Sequence, residues 1–245
     1  MGLHGCLSVH AGALRYSNSA AQSLPEALGF PFALKSESDV SATVKYYNQN
    51  SINFWAVNRG RALNAWSGTF SGLQIDMTAL TNVTIQADRQ TALLQGGAYT
   101  ACSATGVCDC VGLLGACLGG GHGRWEDFYG MVSDTFVSFN LVLANGTEIK
   151  VDSDNHSDLL WAMKGAGHNF GIVTSFELKI YPNPVESWYH KFYRFSRDKL
   201  EPIFEELNKL HNNGTPPVEM ASNYGGFWWD TTVSDTEVSD ISAST

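Results

Sequence analysis

Apolar and polar positions recur with two different periods along this chain, and each change of period marks an element. Over residues 36–50, SESDVSATVKYYNQN, Val40, Val44 and Tyr47 fall on one helical face. Ser36 and Asp39 are spaced as a capping pair, so the pattern predicts a helix that stops at Asn48-Gln49-Asn50. Short apolar segments follow at 54–57, 73–76, 83–85 and 92–95, divided by Gly, Asn and Asp, and these read as strands joined by turns. Residues 136–144 alternate through Val137, Phe139, Leu141 and Leu143, and Asn145-Gly146 predicts a type I′ turn into a return strand at 148–151. Ser157 is placed to cap a short helix through Leu159, Trp161 and Met163, with Gly165 and Gly167 to end it. Over 171–181, Thr174, Phe176, Leu178 and Ile180 share one side, which predicts a strand with one buried face.

Pro182 and Pro184 interrupt this pattern. Beyond them, residues 196–213 predict an amphipathic helix with Leu200, Ile203, Phe204, Leu207 and Leu210 inward and Pro202 in its first turns, where proline is tolerated. No Lys or Arg follows Lys209, and the end, DTTVSDTEVSDISAST, reads as a disordered acidic tail. A helix feeding short strands gives an α+β class. The composition change places a domain junction near 182–187. The chain then divides into an N-terminal segment, partly disordered, at 1–32, a first domain at 33–183 and a second at 184–245.

Composition narrows the function by exclusion. The 245 residues are 44% hydrophobic, enough to bury a substantial core. Acidic residues outnumber basic ones 24 to 15, for a net charge of −9, which argues against a nucleic-acid or anionic-membrane surface. No apolar run reaches bilayer length, and MGLHGCLSVHAGALRYSNSA lacks the basic flank and apolar core of a signal peptide. Sequons at Asn82, Asn145, Asn155 and Asn213 nevertheless hint at a glycoprotein of secreted lineage. Localisation and oligomeric state stay open.

Candidate chemistry concentrates in TGVCDCVGLLGACLGGGHGRWEDFY, residues 105–129. Glycine at this density serves where bare backbone must approach something closely. The five cysteines, Cys6, Cys102, Cys108, Cys110 and Cys117, are odd in number and mostly clustered, so a disulfide scaffold is a poor reading. Cys108 and Cys110, with Cys117 or His122, invite a metal reading, but structural zinc sites space paired cysteines more widely. Gly119 to Gly123 is not a dinucleotide fingerprint between strand and helix, and no Walker lysine follows it. Arg59-Gly60-Arg61 offers backbone N–H groups and cationic side chains suited to a pyrophosphate, or forms a basic surface turn.

Three segments taken together carry a resemblance: Asn58-Arg59-Gly60-Arg61-Ala62, the 108–123 run, and DLLWAMKGAG at 158–167 with NFGIVT at 169–174. Over about residues 33–182 the chain resembles the FAD-binding domain of the vanillyl-alcohol oxidase and p-cresol methylhydroxylase (PCMH-type) superfamily, in its berberine-bridge-enzyme-like branch, and is most similar to fungal members. The resemblance implies a domain of two α+β subdomains, followed by the start of a truncated α+β substrate domain. It implies FAD as cofactor and a small-molecule substrate whose CH–OH or CH–NH group is oxidised by hydride transfer to flavin, with oxygen as the usual acceptor.

Residue by residue, it assigns Asn58, Arg59, Gly60, Arg61 and Ala62 to the pyrophosphate loop. Cys108 matches the family cysteine that bonds flavin carbon 6, in a pattern continued by Val111 and Gly112; read without the family, it is a buried structural thiol. Gly115, Gly120, Gly121, His122 and Gly123 match the stretch that lets the chain pass the ring, where His122 either contacts flavin or caps the loop. Gly171, Ile172 and Val173 match the strand at the adenine end, and an edge strand begun by glycine is compatible with that role. Cys110 and Cys117 read as small core residues.

The chain also departs from the family. Arg61 stands where the family places the histidine joined to the flavin 8α carbon, so that bond is absent. Only 100–105 connects Gly96-Gly97-Ala98-Tyr99 to Gly106, where the family carries a helix. The family's catalytic base comes largely from a portion beyond this length, so no catalytic residue is assigned. Tyr224, Trp228 and Trp229 read as remnants of a substrate-facing sheet or as core residues of a truncated domain. An inert flavin-binding remnant and a Cys/His metal-binding or interaction protein are the alternatives.

Overall fold

A computed structural model describes residues 34, 36–60, 71–100, 111–123, 125–183, 190–211, 214, 222–229 and 237–244. The chain forms two compact units, residues 1–123 with 130–181, and residues 124–129 with 182–245. Among the described residues no helix is long and apolar enough to cross a membrane.

The first unit begins with α1 (Glu37–Gln49), whose Ser36 N–H donates to Asp39 Oδ2 at 2.8 Å as the capping pair predicts. Its apolar face, Val40, Val44 and Tyr47, is buried against Ile75, Met77 and Leu80. A parallel pair follows, β1 (Phe54–Val57) with β2 (Leu73–Asp76), in the register Phe54 to Leu73. The remaining strands, β3 (Val83–Ile85), β4 (Thr91–Gln95), β5 (Phe136–Val142), β6 (Glu148–Val151) and β7 (Ile172–Lys179), form an antiparallel sheet in the order β3-β4-β7-β5-β6. Phe136, Phe139 and Phe176 centre the core on this sheet, with ring centroids 4.6 and 5.6 Å apart across Phe136. Burying each such ring contributes roughly 1.5–3 kcal/mol.

Three local expectations in the first unit are corrected. The hairpin exists, but its turn is not type I′. Gly146 N–H donates to Leu143 O (2.8 Å) and Leu143 N–H to Thr147 O (2.9 Å), Gly146 has φ +81°, and Asn145 stays at negative φ. A type I turn closed by a left-handed glycine results. Asn145 Oδ1 is held by the Thr147 N–H, and α1 takes up the turn's carbonyls through Asn48 Nδ2 to Ala144 O and Ser41 Oγ to Gly146 O.

The strand expected to have one buried face, β7, is the middle strand of the sheet, neither half-buried nor an edge. Val173 to Phe176 are buried on both sides. Ser175 opposes the core face, receiving Asn140 Nδ2 at 2.8 Å and donating to Glu37 Oε2 at 2.7 Å. That polar chain is why periodicity misread the face: Ser175 is buried, and half-buried Asn140 satisfies it.

The third correction concerns α4 (Ser157–Ala166). His156, at φ +60°, precedes it as N-cap, so Ser157 is the first helical residue and not the cap. Met163 is buried while Trp161 is 80% exposed, because residues two apart point to different helical faces. The helical path breaks at Lys164 and Gly165, where the glycine was expected to end it. Between β4 and β5 the first unit also carries α2 (Leu113–Cys117).

The second unit comprises α3 (Glu126–Tyr129), β8 (His190–Ser196), α5 (Leu200–Leu210), β9 (Ser222–Trp229) and β10 (Glu237–Ser244). Tyr129 Oη donates to Pro182 O at 3.0 Å. Where composition predicts a disordered tail, β10 lies between β8 and β9, antiparallel to both, with Ile241 opposite Tyr193 and Gly225. Two partners give its backbone groups hydrogen bonds on both sides, which its weak apolar content does not advertise. Tyr224, Trp228 and Trp229 lie on β9. On α5 none of the expected inward residues is buried: Ile203 and Leu207 are half-buried, and Phe204 and Leu210 are 49% and 55% exposed.

Candidate cofactor site

Four segments of the first unit converge at the end of β1. Met77 N–H donates to Val57 O at 2.8 Å, which fixes the exit of β1 beside the chain leaving β2. Gly96 and Gly97 leave β4 here, and neither position has room for a side chain. A Cβ on Gly97 would lie 1.9 Å from Met77 O, and one on Gly96 2.2 Å from Val173 O. Gly96 N–H also donates to Thr174 O at 2.7 Å, so β7 supports the floor of this corner.

The fourth segment is 111–113. Tyr99 and Gly112 form an antiparallel bridge, Thr100 N–H donates to Val111 O at 3.0 Å, and Leu113 N–H to Ala98 O at 3.1 Å. Residues 100 and 111 are therefore neighbours in space, and the stretch containing Cys108 starts and returns at one point. Asn58 closes the corner. Its Nδ2 donates to Gly96 O and to Ala98 O, both at 3.2 Å, and a Cβ on Gly112 would stand 2.7 Å from that nitrogen. Asn58 Oδ1 is buried and has no hydrogen-bond partner among the described residues. The next side chain, exposed Arg59, holds its guanidinium 4.3 Å from the Tyr99 ring centroid, a cation–π contact of about 0.5–1 kcal/mol at such a site. Gly60 follows at φ +63° with open space over its Cα.

The sequence-assigned residues thus separate. Asn58, Arg59, Gly60, Val111 and Gly112 come together, with Val173 beneath them through Gly96. Gly171 and Ile172 lie at the start of β7 against its other neighbour, β5, at Val142, whose carbonyl would stand 2.7 Å from a Cβ on Gly171. Arg61, Ala62 and Cys108 lie outside the described residues, as do Cys110 and residues 101–105 of the connection expected to lack a helix.

Gly120 and Gly121 take left-handed φ of +120° and +79°, and their carbonyls accept Ser133 N–H (2.8 Å) and Val132 N–H (3.0 Å). They make the turn that sends the chain from α2 towards β5. His122 is exposed and Gly123 half-buried after that turn. Gly115, exposed on α2, presents its carbonyl 2.7 Å from His168 Nε2, which must carry the proton because a carbonyl only accepts. Beside this link Leu118 packs against Gly167. These contacts fix α2 to the segment after α4.

Cys117 faces the core, and burial pushes its thiol up to about 12, so it is an inert packing residue. Among the described residues no group of three or more His, Cys, Asp or Glu is placed to hold a metal ion. Sequence reasoning did not assign Gly96, Gly97 or Tyr99 to the site. Its available signal was a glycine pair directly after a strand, followed by an aromatic residue.

An elongated, anionic dinucleotide fits this corner. Arg59 and the open left-handed turn at Gly60 suit a pyrophosphate, and Asn58 Oδ1 offers a buried acceptor still wanting a donor. Residues 31–102 match the FAD binding domain family, so the corner lies within and just beyond a segment defined by flavin binding. The fold and the corner define an FAD-binding flavoprotein domain.

The chain is 54% identical over 212 residues to the FAD-linked oxidoreductase anuG of Penicillium roqueforti, a match spanning 82% of this chain and 42% of that protein. In structure it is similar to 6-hydroxy-D-nicotine oxidase from Arthrobacter nicotinovorans (TM-score 0.74, 24% identity, 85% of this chain and 48% of that one). It is also similar to glucooligosaccharide oxidase from Acremonium strictum, described with a 6-S-cysteinyl, 8α-N1-histidyl FAD (TM-score 0.68, 22% identity, 86% and 46%). Residues 31–102 thus carry an FAD binding domain, the chain is similar over 82% of its length to fungal FAD-linked oxidoreductases, and its fold is that of the PCMH-type, berberine-bridge-enzyme-like flavoproteins. It spans about two fifths of the length of the curated relatives it matches.

Proposed function

We propose that this chain is the flavin-holding part of an FAD-dependent oxidoreductase that removes a hydride from a CH–OH or CH–NH carbon of a small molecule, with oxygen as the acceptor. The observation that carries the reading is the convergence of Asn58-Arg59-Gly60, Gly96–Tyr99 and Val111-Gly112 on one corner supported by β7. When bound, FAD supplies the two-electron acceptor that no side chain provides.

The chain's own residues hold and orient it. Arg59 and the Gly60 turn face the pyrophosphate. The bare backbone at Gly96 and Gly97 keeps the floor of the corner free of side chains, and Gly171 to Val173 supply main chain towards the adenine end. Cys108, in the stretch rooted at Thr100 and Val111, is the residue for attachment to flavin carbon 6, a thioether that would replace the C6–H bond, with the two electrons passing through the flavin to oxygen; Arg61 offers no nucleophile for the 8α carbon.

The test is the visible spectrum of the purified chain, with FAD added if it is colourless, before and after acid precipitation. Flavin absorbance in the native protein is the expected result. Colour that stays with the precipitate assigns the covalent bond to Cys108, to be lost in Cys108→Ala; colour released into the supernatant assigns non-covalent FAD. A chain that stays colourless and does not take up added FAD overturns the reading. FAD bound but not bleached by alcohols, sugars or amines would make it a flavin-binding piece without turnover.

A further inference from the structure

The side chain of Asn58 is the only one among the described residues that bonds two carbonyls of the 96–98 segment, and it does so immediately before Arg59. We infer that Asn58 is a positioning residue, which sets the cationic Arg59–Gly60 turn at a fixed distance from the root of the Cys108 stretch instead of serving chiefly as a ligand of the cofactor. The inference rests on the flavin-binding reading and deepens it.

Geometry carries the argument. The amide nitrogen has two donor positions and uses both inward, on Gly96 O and Ala98 O, so it has none left for a phosphate oxygen. Its remaining flank is occupied by Gly112, where even a methyl group would come within 2.7 Å of the nitrogen. Glycine at 112 is thus what lets the root of the loop lie flat on the amide. The residue on one side of Ala98, Tyr99, carries the Arg59 guanidinium on its ring and is bridged to Gly112. Asn58 and Arg59 therefore grip one short segment twice, once through its carbonyls and once through its aromatic ring. Releasing the carbonyl grip frees the exit of β1 to rotate, and the guanidinium then loses its bearing on the tyrosine and on any anion at Gly60.

A strut and a ligand predict different couplings. A direct ligand loses its own contact whatever Arg59 does, whereas a strut that acts through Arg59 has little left to do once Arg59 is gone. The experiment is a double-mutant cycle on the FAD dissociation constant, measured by flavin fluorescence quenching on the full chain, with Asn58→Leu, Arg59→Ala and the double variant. The expected result is a rise of about tenfold for Asn58→Leu alone and less than about twofold when Arg59→Ala is already present. Asn58→Asp, which keeps an acceptor but loses both donors, is expected to bind FAD no better than Asn58→Leu.

Equal costs of Asn58→Leu in both backgrounds would overturn the inference, as would wild-type affinity in Asn58→Asp. Circular dichroism checks that each variant folds; if the leucine variant does not, Asn58→Ser replaces it in the cycle. A wild-type chain that binds no FAD overturns the flavin-binding reading itself, a result distinct from additive costs in a chain that binds.

Discussion

Helices α1 and α5 teach by contrast. Both carry apolar residues at helical spacing, and sequence reasoning gives both an inward face. On α1 the face made by Val40, Val44 and Tyr47 is buried, because Ile75, Met77 and Leu80 lie against it and its polar edge is tied to the hairpin at Ala144 and Gly146. On α5 the matching face leaves Phe204 and Leu210 about half exposed, and no residue of the helix is buried. Periodicity states which side of a helix is apolar; only the rest of the fold states whether anything covers it.

The largest expected effect comes from emptying the covered side. Phe176 is 1% exposed, in edge-to-face contact with Phe136 across β5 and β7. Phe176→Ala is expected to destabilise the first unit by about 3–5 kcal/mol, since truncating a buried ring adds a cavity to the lost transfer energy. Urea denaturation followed by far-ultraviolet circular dichroism measures it. A loss below about 1 kcal/mol would mean that this core is no better packed than the α5 face.

A smaller effect tests the rim of the same unit, where polar bonds replace burial. Asp152, just after β6, accepts the side-chain amide of Asn155, pairs with Lys150 at 3.1 Å, and accepts the backbone N–H groups of Asn155 and Asp154. Led by the Asn155 amide, these bonds hold its carboxyl down at about 2, from an ordinary 3.8. The folded value lies below the unfolded one, so the stabilisation is full above about pH 4 and is lost as pH falls towards 2. Asp152→Asn should flatten the pH dependence of Tm in that window and leave the neutral-pH slope alone. In the unmodified chain, a carboxyl titration by NMR with its midpoint near 4 would remove the basis for the effect.

Most of the fold was legible because its elements carry local signals. The capping pair and face of α1, the strands β1 to β4 and the hairpin all stand in the text of the chain. What was not legible depends on distant partners. The turn at Asn145 takes its form from Asn48 and Ser41, roughly a hundred residues earlier, which hold its carbonyls. Ser175 reads as a solvent-facing residue until Asn140 and Glu37 are brought to it.

The site divides in the same way. Arg59-Gly60 declares itself as an anion turn. That Gly97 must be glycine follows only from the carbonyls of Met77 and Leu80, which no spacing rule places there. The second role of Asn58, as a grip on two carbonyls, was equally hidden, because an asparagine before a basic turn looks like part of that turn.

The smallest expected effect returns to α5. Phe204 and Leu210 keep about half of their surface in water, so replacing them removes little burial. Phe204→Ser together with Leu210→Ser is expected to change the unfolding free energy by no more than about 1 kcal/mol, the range of surface substitutions. Any self-association through this face should fall with the same pair, since Phe204 and Leu210 flank Ile203 and Leu207 on one apolar stripe. Denaturation and sedimentation velocity on the double variant read the two quantities separately. A loss of about 3 kcal/mol or more would show that this face is covered in solution and would erase the contrast with α1. Unchanged stability with unchanged association would leave the contrast standing and show that the stripe is too narrow to pair two copies.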